Sequence, residues 1–167
     1  MLNTIITSKT RLRLLIKFFI NVANTGYLRG LAAEMEENTN AIRKELNNLT
    51  EAGFLQKEEI ASKIIYKANT VHPLFHILQQ MVRKHVGIDV IVERVFERLG
   101  AVSKIYLIGD YANGIDSGII EVVVEGVNLN EAYLDNLERK VASELNKKIV
   151  IHTTFLFEGK GLLVFQK

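Results

Sequence analysis

Between Leu12 and Phe19 the apolar residues fall at helical spacing. Leu12, Leu15, Ile16 and Phe19 share one face, and Phe18 and Ile20 widen it. Ser8 stands where an N-cap is wanted, so a helix buried on two sides is expected over about 9–21. Residues 1–7 form a short apolar leader, Asn24-Thr25-Gly26 a turn, and Tyr27-Leu28 a short strand. Leu31, Ala32 and Met35 then predict a short helix, ended by the polar Glu36 and Glu37. Asn38 caps a second helix over about 39–52, whose stripe is Ile42, Leu46 and Leu49. Gly53 supplies the positive φ that commonly ends a helix. Residues 54–58 read as a strand, 59–62 as a turn, and 63–68 as a returning strand rich in β-branched and aromatic residues.

Past a linker at 69–71, Pro73 suits the first turn of a helix that runs to about 86. Leu74, Phe75, Leu78, Met81, Val82 and His85 make its broad face. Gly87 interrupts, and a further helix follows over 88–99, with Ile88, Ile91, Val92, Val95, Phe96 and Leu99 apolar. From Gly100 the pattern alternates between strand and helix. Strands are expected at 103–108, 119–125, 148–153 and 162–165, with a loop at 109–118 and a helix at 130–146 that buries Leu134, Leu137, Val141 and Leu145. The whole reads as an α+β chain in three parts: 1–70, a helical linker or dimerisation segment at 71–99, and a small α/β domain with a mixed sheet at 100–167.

Composition narrows the functions. The chain has 167 residues, 48% of them hydrophobic, and no cysteine, which excludes disulfides, thiolate metal sites and cysteine nucleophiles. His72 and His76 are four apart, but no carboxylate completes a metal site beside them, so no metal and no cofactor is expected. No apolar run has the ~18–20 residues of a membrane span. Lys9, Arg11, Arg13 and Lys17 break up anything like a signal peptide. A soluble, cytoplasmic protein without a membrane partner is expected. Net charge is +2 overall, distributed as +3 over residues 1–70 and −1 over the rest. The basic excess lies with the helix pair.

The polar face of the second helix of that pair carries the candidate chemistry. Asn40, Arg43, Lys44 and Asn47 recur at helical spacing, and Thr39 adds a hydroxyl at the N-terminal end. Asparagine can pair with adenine and arginine with guanine through two hydrogen bonds, while Lys and Thr hold phosphates. Lys57, Lys63 and Lys67 decorate the hairpin that follows and would meet the backbone beside the groove. Double-stranded DNA is the expected partner. Glu45, on the same helix, counts slightly against it.

The pattern Leu31-Ala32-x-Glu34-Met35, Asn38, Ile42, Leu46, Leu49-x-x-Ala52-Gly53-Phe54-Leu55 resembles winged-helix transcriptional regulators of the arsenical-resistance-repressor type. The resemblance implies a helix-turn-helix followed by a β wing, and a homodimer on a two-fold operator. Leu107-Ile108-Gly109-Asp110-Tyr111-Ala112-Asn113-Gly114 and Asp116-Ser117-Gly118-Ile119-Ile120 resemble the loop of small nucleotidyltransferase domains. In that family a serine follows the glycine and two aspartates open the next strand to hold Mg²⁺. Here Asp110 stands at the serine position, and Gly118 and Ile120 at the aspartates. The resemblance therefore implies a degenerate, non-catalytic nucleotidyltransferase-like domain. Gly109, Asp110, Asn113 and Ser117 would line a ligand cleft for an unknown small molecule, or the domain would be a scaffold. Ile115 and Asp116 after Gly114 exclude a P-loop.

Three functions are thus in play. The first is a dimeric, sequence-specific DNA-binding transcriptional regulator that is not an enzyme. The second is a protein-interaction module with no DNA target. The third, a nucleotidyltransferase, would need carboxylates that the loop lacks.

Overall fold

The computed structural model describes residues 2–167; the first residue of the expected leader, Met1, lies outside them. The described residues form seven α-helices and two sheets, a mixed α/β chain. The chain divides into two compact units, Met1–His85 and Val86–Lys167. The segment expected as a separate linker is shared between them.

In the first unit, α1 (Lys9–Phe19) is capped as expected, with the Ser8 Oγ accepting from the Arg11 N–H at 3.1 Å. Leu14, Leu15, Ile16, Phe18 and Phe19 are all buried, so the widened stripe does mark a helix enclosed on more than one side. The next helices are α2 (Leu28–Glu34) and α3 (Thr39–Glu51). The expected strand at Tyr27-Leu28 shrinks to a single bridge one residue earlier. Gly26 exchanges both backbone bonds with Tyr66, at 3.2 and 2.8 Å. Tyr27 then turns its carbonyl to the Leu31 N–H at 2.9 Å, which starts the helix. After Gly53 (φ +80°), β1 (Leu55–Ile60) and β2 (Lys63–Ala68) form an antiparallel hairpin. Its two-residue turn places both Ala61 and Ser62 at positive φ, the turn geometry that matches strand twist.

Helix α4 (Phe75–Val86) begins two residues beyond Pro73. His72 and His76, four apart in sequence, are separated by this boundary. His72 lies in the turn before the helix, where its Nδ1 accepts from the Leu74 N–H at 3.1 Å and its Nε2 faces the Ala52 carbonyl at 3.2 Å. Its ring packs against Phe54 at 4.3 Å. The side chain therefore ties the end of α3 to the start of α4.

In the second unit, α5 (Ile88–Arg98), β3 (Ala101–Ile108), a short α6 (Gly109–Ala112), β4 (Ile119–Val127), α7 (Leu134–Leu145), β5 (Lys148–Thr154) and β6 (Leu162–Gln166) follow in order. The sheet order is β5-β4-β3-β6. Strand β3 pairs antiparallel with β4 and β6, and β4 pairs parallel with β5, so the sheet is mixed as expected. A parallel pair needs a crossover, and α7 supplies it. Ile105, Leu107, Ile120, Val122, Val124, Ile149 and Ile151 alternate along the strands and form the core with Val95, Leu137 and Val141.

Near the β3 bulge, Gly126 pairs with Val102 so closely that a Cβ would lie 2.4 Å from the Ala101 carbonyl oxygen. The obstruction is backbone and cannot rotate away. Gly126→Ala is expected to destabilise this unit by about 1–3 kcal/mol, read as a lower urea midpoint. An unchanged midpoint would mean that the bulge moves freely.

Candidate nucleic-acid interface

The α3 cap forms as the sequence requires. Asn38 is extended, and its Oδ1 accepts from the Asn40 and Ala41 N–H groups at 2.7 and 3.4 Å. Ile42, Leu46 and Leu49 are buried on α1 and α2, which turns the opposite face outward. Thr39, Asn40, Arg43, Lys44 and Asn47 are all exposed on it. The Arg43 Nη1 donates to the Asn40 Oδ1 at 2.9 Å. That bond steadies both side chains and leaves most of the guanidinium donors, the Asn40 NH₂ group and one Asn40 lone pair free.

Glu45 does not share this face. It is 6% exposed and points back to α1, accepting from the Arg11 Nε at 2.7 Å and the Ser8 hydroxyl at 3.1 Å. The objection that it would repel phosphates is thereby removed. Helix α3 is fixed on α1 by an ion pair on one side, and on the other it presents neutral and cationic side chains from Thr39 to Asn47, with the exposed Glu51 following at the same spacing in the last turn.

The hairpin closes one side of a cleft of about 380 Å³ beside α3. Arg43 and Asn47 from the helix, Lys57 from β1 and Lys63 from β2 meet there. The Lys63 Nζ lies 4.3 Å from the centre of the Tyr27 ring, a cation–π contact that steadies the ammonium. Thr39, Asn40 and Lys44 lie along the helix outside the cleft. Lys67 does too, four residues along β2 from Lys63. The hairpin also carries the exposed Glu58 and Glu59, so its charge is less basic than its three lysines alone would make it.

The second candidate cleft is built differently. Gly109 opens α6 at φ +67°, and the Asn113 Nδ2 donates to the Gly109 carbonyl at 3.0 Å. The Ser117 Oγ accepts from the Ile119 N–H at 3.3 Å. The fully buried Tyr111 hydroxyl donates to Asp116 and accepts from the Gly118 N–H at 3.1 Å. Burial, with Asp116 second, pushes that hydroxyl's pKa well above the usual tyrosine value. The loop thus uses much of its polarity to hold its own turn, and only Asp110 stays exposed without a loop side-chain bond. Ile120 is in the core, whereas Glu121 emerges on the opposite sheet face beside Gly109. His152 lies 3.8 Å from Glu121. Among the described residues no three His, Asp or Glu side chains converge as a metal site would need.

No family model, curated protein or solved structure matches the chain.

Six lining residues of the first cleft were absent from the expected site, Tyr27 and Arg29 among them. Tyr27 and Arg29 line it from the start of α2. The signal was present in Tyr27-Leu28-Arg29, but assigning Tyr27-Leu28 to a strand hid the helix start that brings Arg29 there. Glu121 and His152 come together only through the parallel pairing of β4 with β5, which joins residues 31 apart in sequence. No helix among the described residues is long and apolar enough to cross a membrane.

Proposed function

We propose that this protein is a sequence-specific, DNA-binding transcriptional regulator. One observation carries the proposal: a capped helix whose exposed face is Thr39, Asn40, Arg43, Lys44 and Asn47 borders a cleft edged by Lys57 and Lys63 of a β-hairpin. On this reading the first unit is a winged helix-turn-helix. Helix α3 enters the major groove, Arg43 and Asn40 read base edges, and the hairpin lysines meet backbone phosphates. The protein acts as a homodimer. Leu74, in the turn just before α4, and Ile77 on it, 45% and 54% exposed, are apolar surface that a second copy would cover.

The second unit is read as a nucleotidyltransferase-like fold that has lost catalysis and serves as a scaffold or ligand-sensing module. The core position of Ile120 and the internally bonded 109–118 loop support that reading. Glu58 and Glu59 on the hairpin favour the rival reading, a protein-interaction module.

The decisive experiment selects purified protein against random duplex DNA at two salt concentrations and sequences the bound fraction. A two-fold symmetric site, bound far more weakly at the higher salt, is expected. No enrichment and no salt dependence would transfer the function to protein partners.

A further inference from the structure

The cleft beside α3 has more than a backbone phosphate needs. Phosphate contacts ask only for donors and positive charge on an accessible surface. Here the cations Arg29, Arg43, Lys57 and Lys63 come from four successive elements and surround an apolar interior. Ile64 lines it while 48% exposed, and Tyr27 forms an aromatic wall while 37% exposed. None of the lining residues is acidic. Its volume of about 380 Å³ falls in the range of small-molecule sites, which combine an apolar lining with a few convergent polar groups.

We infer that this cleft is a binding site for a small organic anion that pairs a phosphate with a flat ring, the chemistry of a mononucleotide. The four cations neutralise the phosphate, Lys63 by swinging its ammonium off the Tyr27 ring, and Ile64 and the freed ring cover the heterocycle. Because Arg43 and Lys63 serve the cleft and the proposed DNA face alike, the anion and the duplex exclude one another. Regulation would then act by direct competition at the reading surface, with no change transmitted from the second unit. The competition rests on the DNA reading; the anion site does not.

Calorimetric titration of the full chain with adenosine 5′-monophosphate, and separately with inorganic phosphate at equal ionic strength, tests this. The nucleotide is expected to bind at least tenfold more tightly than phosphate. Arg29→Met and Tyr27→Ala should each weaken it about tenfold, while Tyr27→Phe, which keeps the ring, should not. Thermal melts of the variants control for folding. Nucleotide binding no tighter than phosphate, or unaltered in a folded Arg29→Met variant, would overturn the site. With a selected duplex, saturating nucleotide should raise the apparent dissociation constant. Simultaneous binding of both would overturn the competition. Nucleotide binding lost in the variants, with no duplex bound by the wild type, would instead uphold the site and sink the DNA reading.

Discussion

Arg43→Ala is expected to weaken binding to a selected operator by about 1–3 kcal/mol per half-site, roughly 5- to 150-fold. The expectation follows from where the side chain is held. Arg43 is exposed on the outward face of α3, and its bond to the Asn40 Oδ1 restricts its rotamers before DNA arrives. Less side-chain entropy is then lost on binding. Arg43→Lys should recover little, because an ammonium cannot make the paired contact of a guanidinium to guanine. Lys57→Ala should behave otherwise. It removes a cation that neutralises a phosphate, so affinity falls about equally for all sequences, and the log–log salt slope drops by about 0.9 for each phosphate left without its cation. The two variants separate base reading from backbone attraction in one set of titrations. If Arg43→Ala weakened specific and random duplexes alike, the base-reading role assigned to it would be wrong.

Much of the first unit was legible because its signals are local. Ser8 and Asn38 cap their helices through atoms two or three residues away, and apolar spacing alone turns Ile42, Leu46 and Leu49 inward. The strands of the second unit were legible from β-branched alternation. What failed needed partners distant in sequence. Gly26 is bridged by Tyr66, forty residues on, and that bridge decides where α2 begins. The orientation of Glu45 depends on Arg11 and Ser8, so a residue counted against DNA binding proves to be a structural anchor.

The candidate site was legible in the same measure. The exposed face of α3 is a property of one helix and could be read directly. The cleft is assembled from four elements, and only Arg43 and Asn47 of α3 and Lys57 and Lys63 of the hairpin were found. A strand's period of two puts Ile120 and Glu121 on opposite faces. It could not tell that Glu121 would meet Gly109 and His152, since those contacts come from the loop path and the β4–β5 register.

Arg11→Ala is expected to cost about 2–3 kcal/mol of stability near neutral pH. Glu45 is 6% exposed, and without Arg11 its carboxylate keeps only uncharged partners, the Ser8 hydroxyl and the Asn48 side chain. Stranding one charge of a buried pair costs about 3–5 kcal/mol; Arg11 is partly exposed, with 41% of its side chain accessible, which reduces that here. The pH dependence provides the internal check. Burial works to raise the Glu45 pKa, but the hydrogen bonds from Arg11 and Ser8, with the Arg11 charge, outweigh it and hold the carboxyl below its ordinary value. The unfolded chain therefore takes up this proton at a higher pH than the folded one. The stabilisation is complete above the unfolded carboxylate value of about 4.3 and disappears as pH falls through the lower folded value. Urea unfolding of wild type and Arg11→Ala should thus diverge at pH 7 and converge in acid. A gap that stayed constant down to pH 3 would mean that Arg11 acts through packing of its aliphatic stem rather than through Glu45. Glu45→Gln discriminates further: it keeps an acceptor for Arg11 and Ser8 but has no charge to strand, so removing Arg11 from that variant should cost much less than removing it from the wild type.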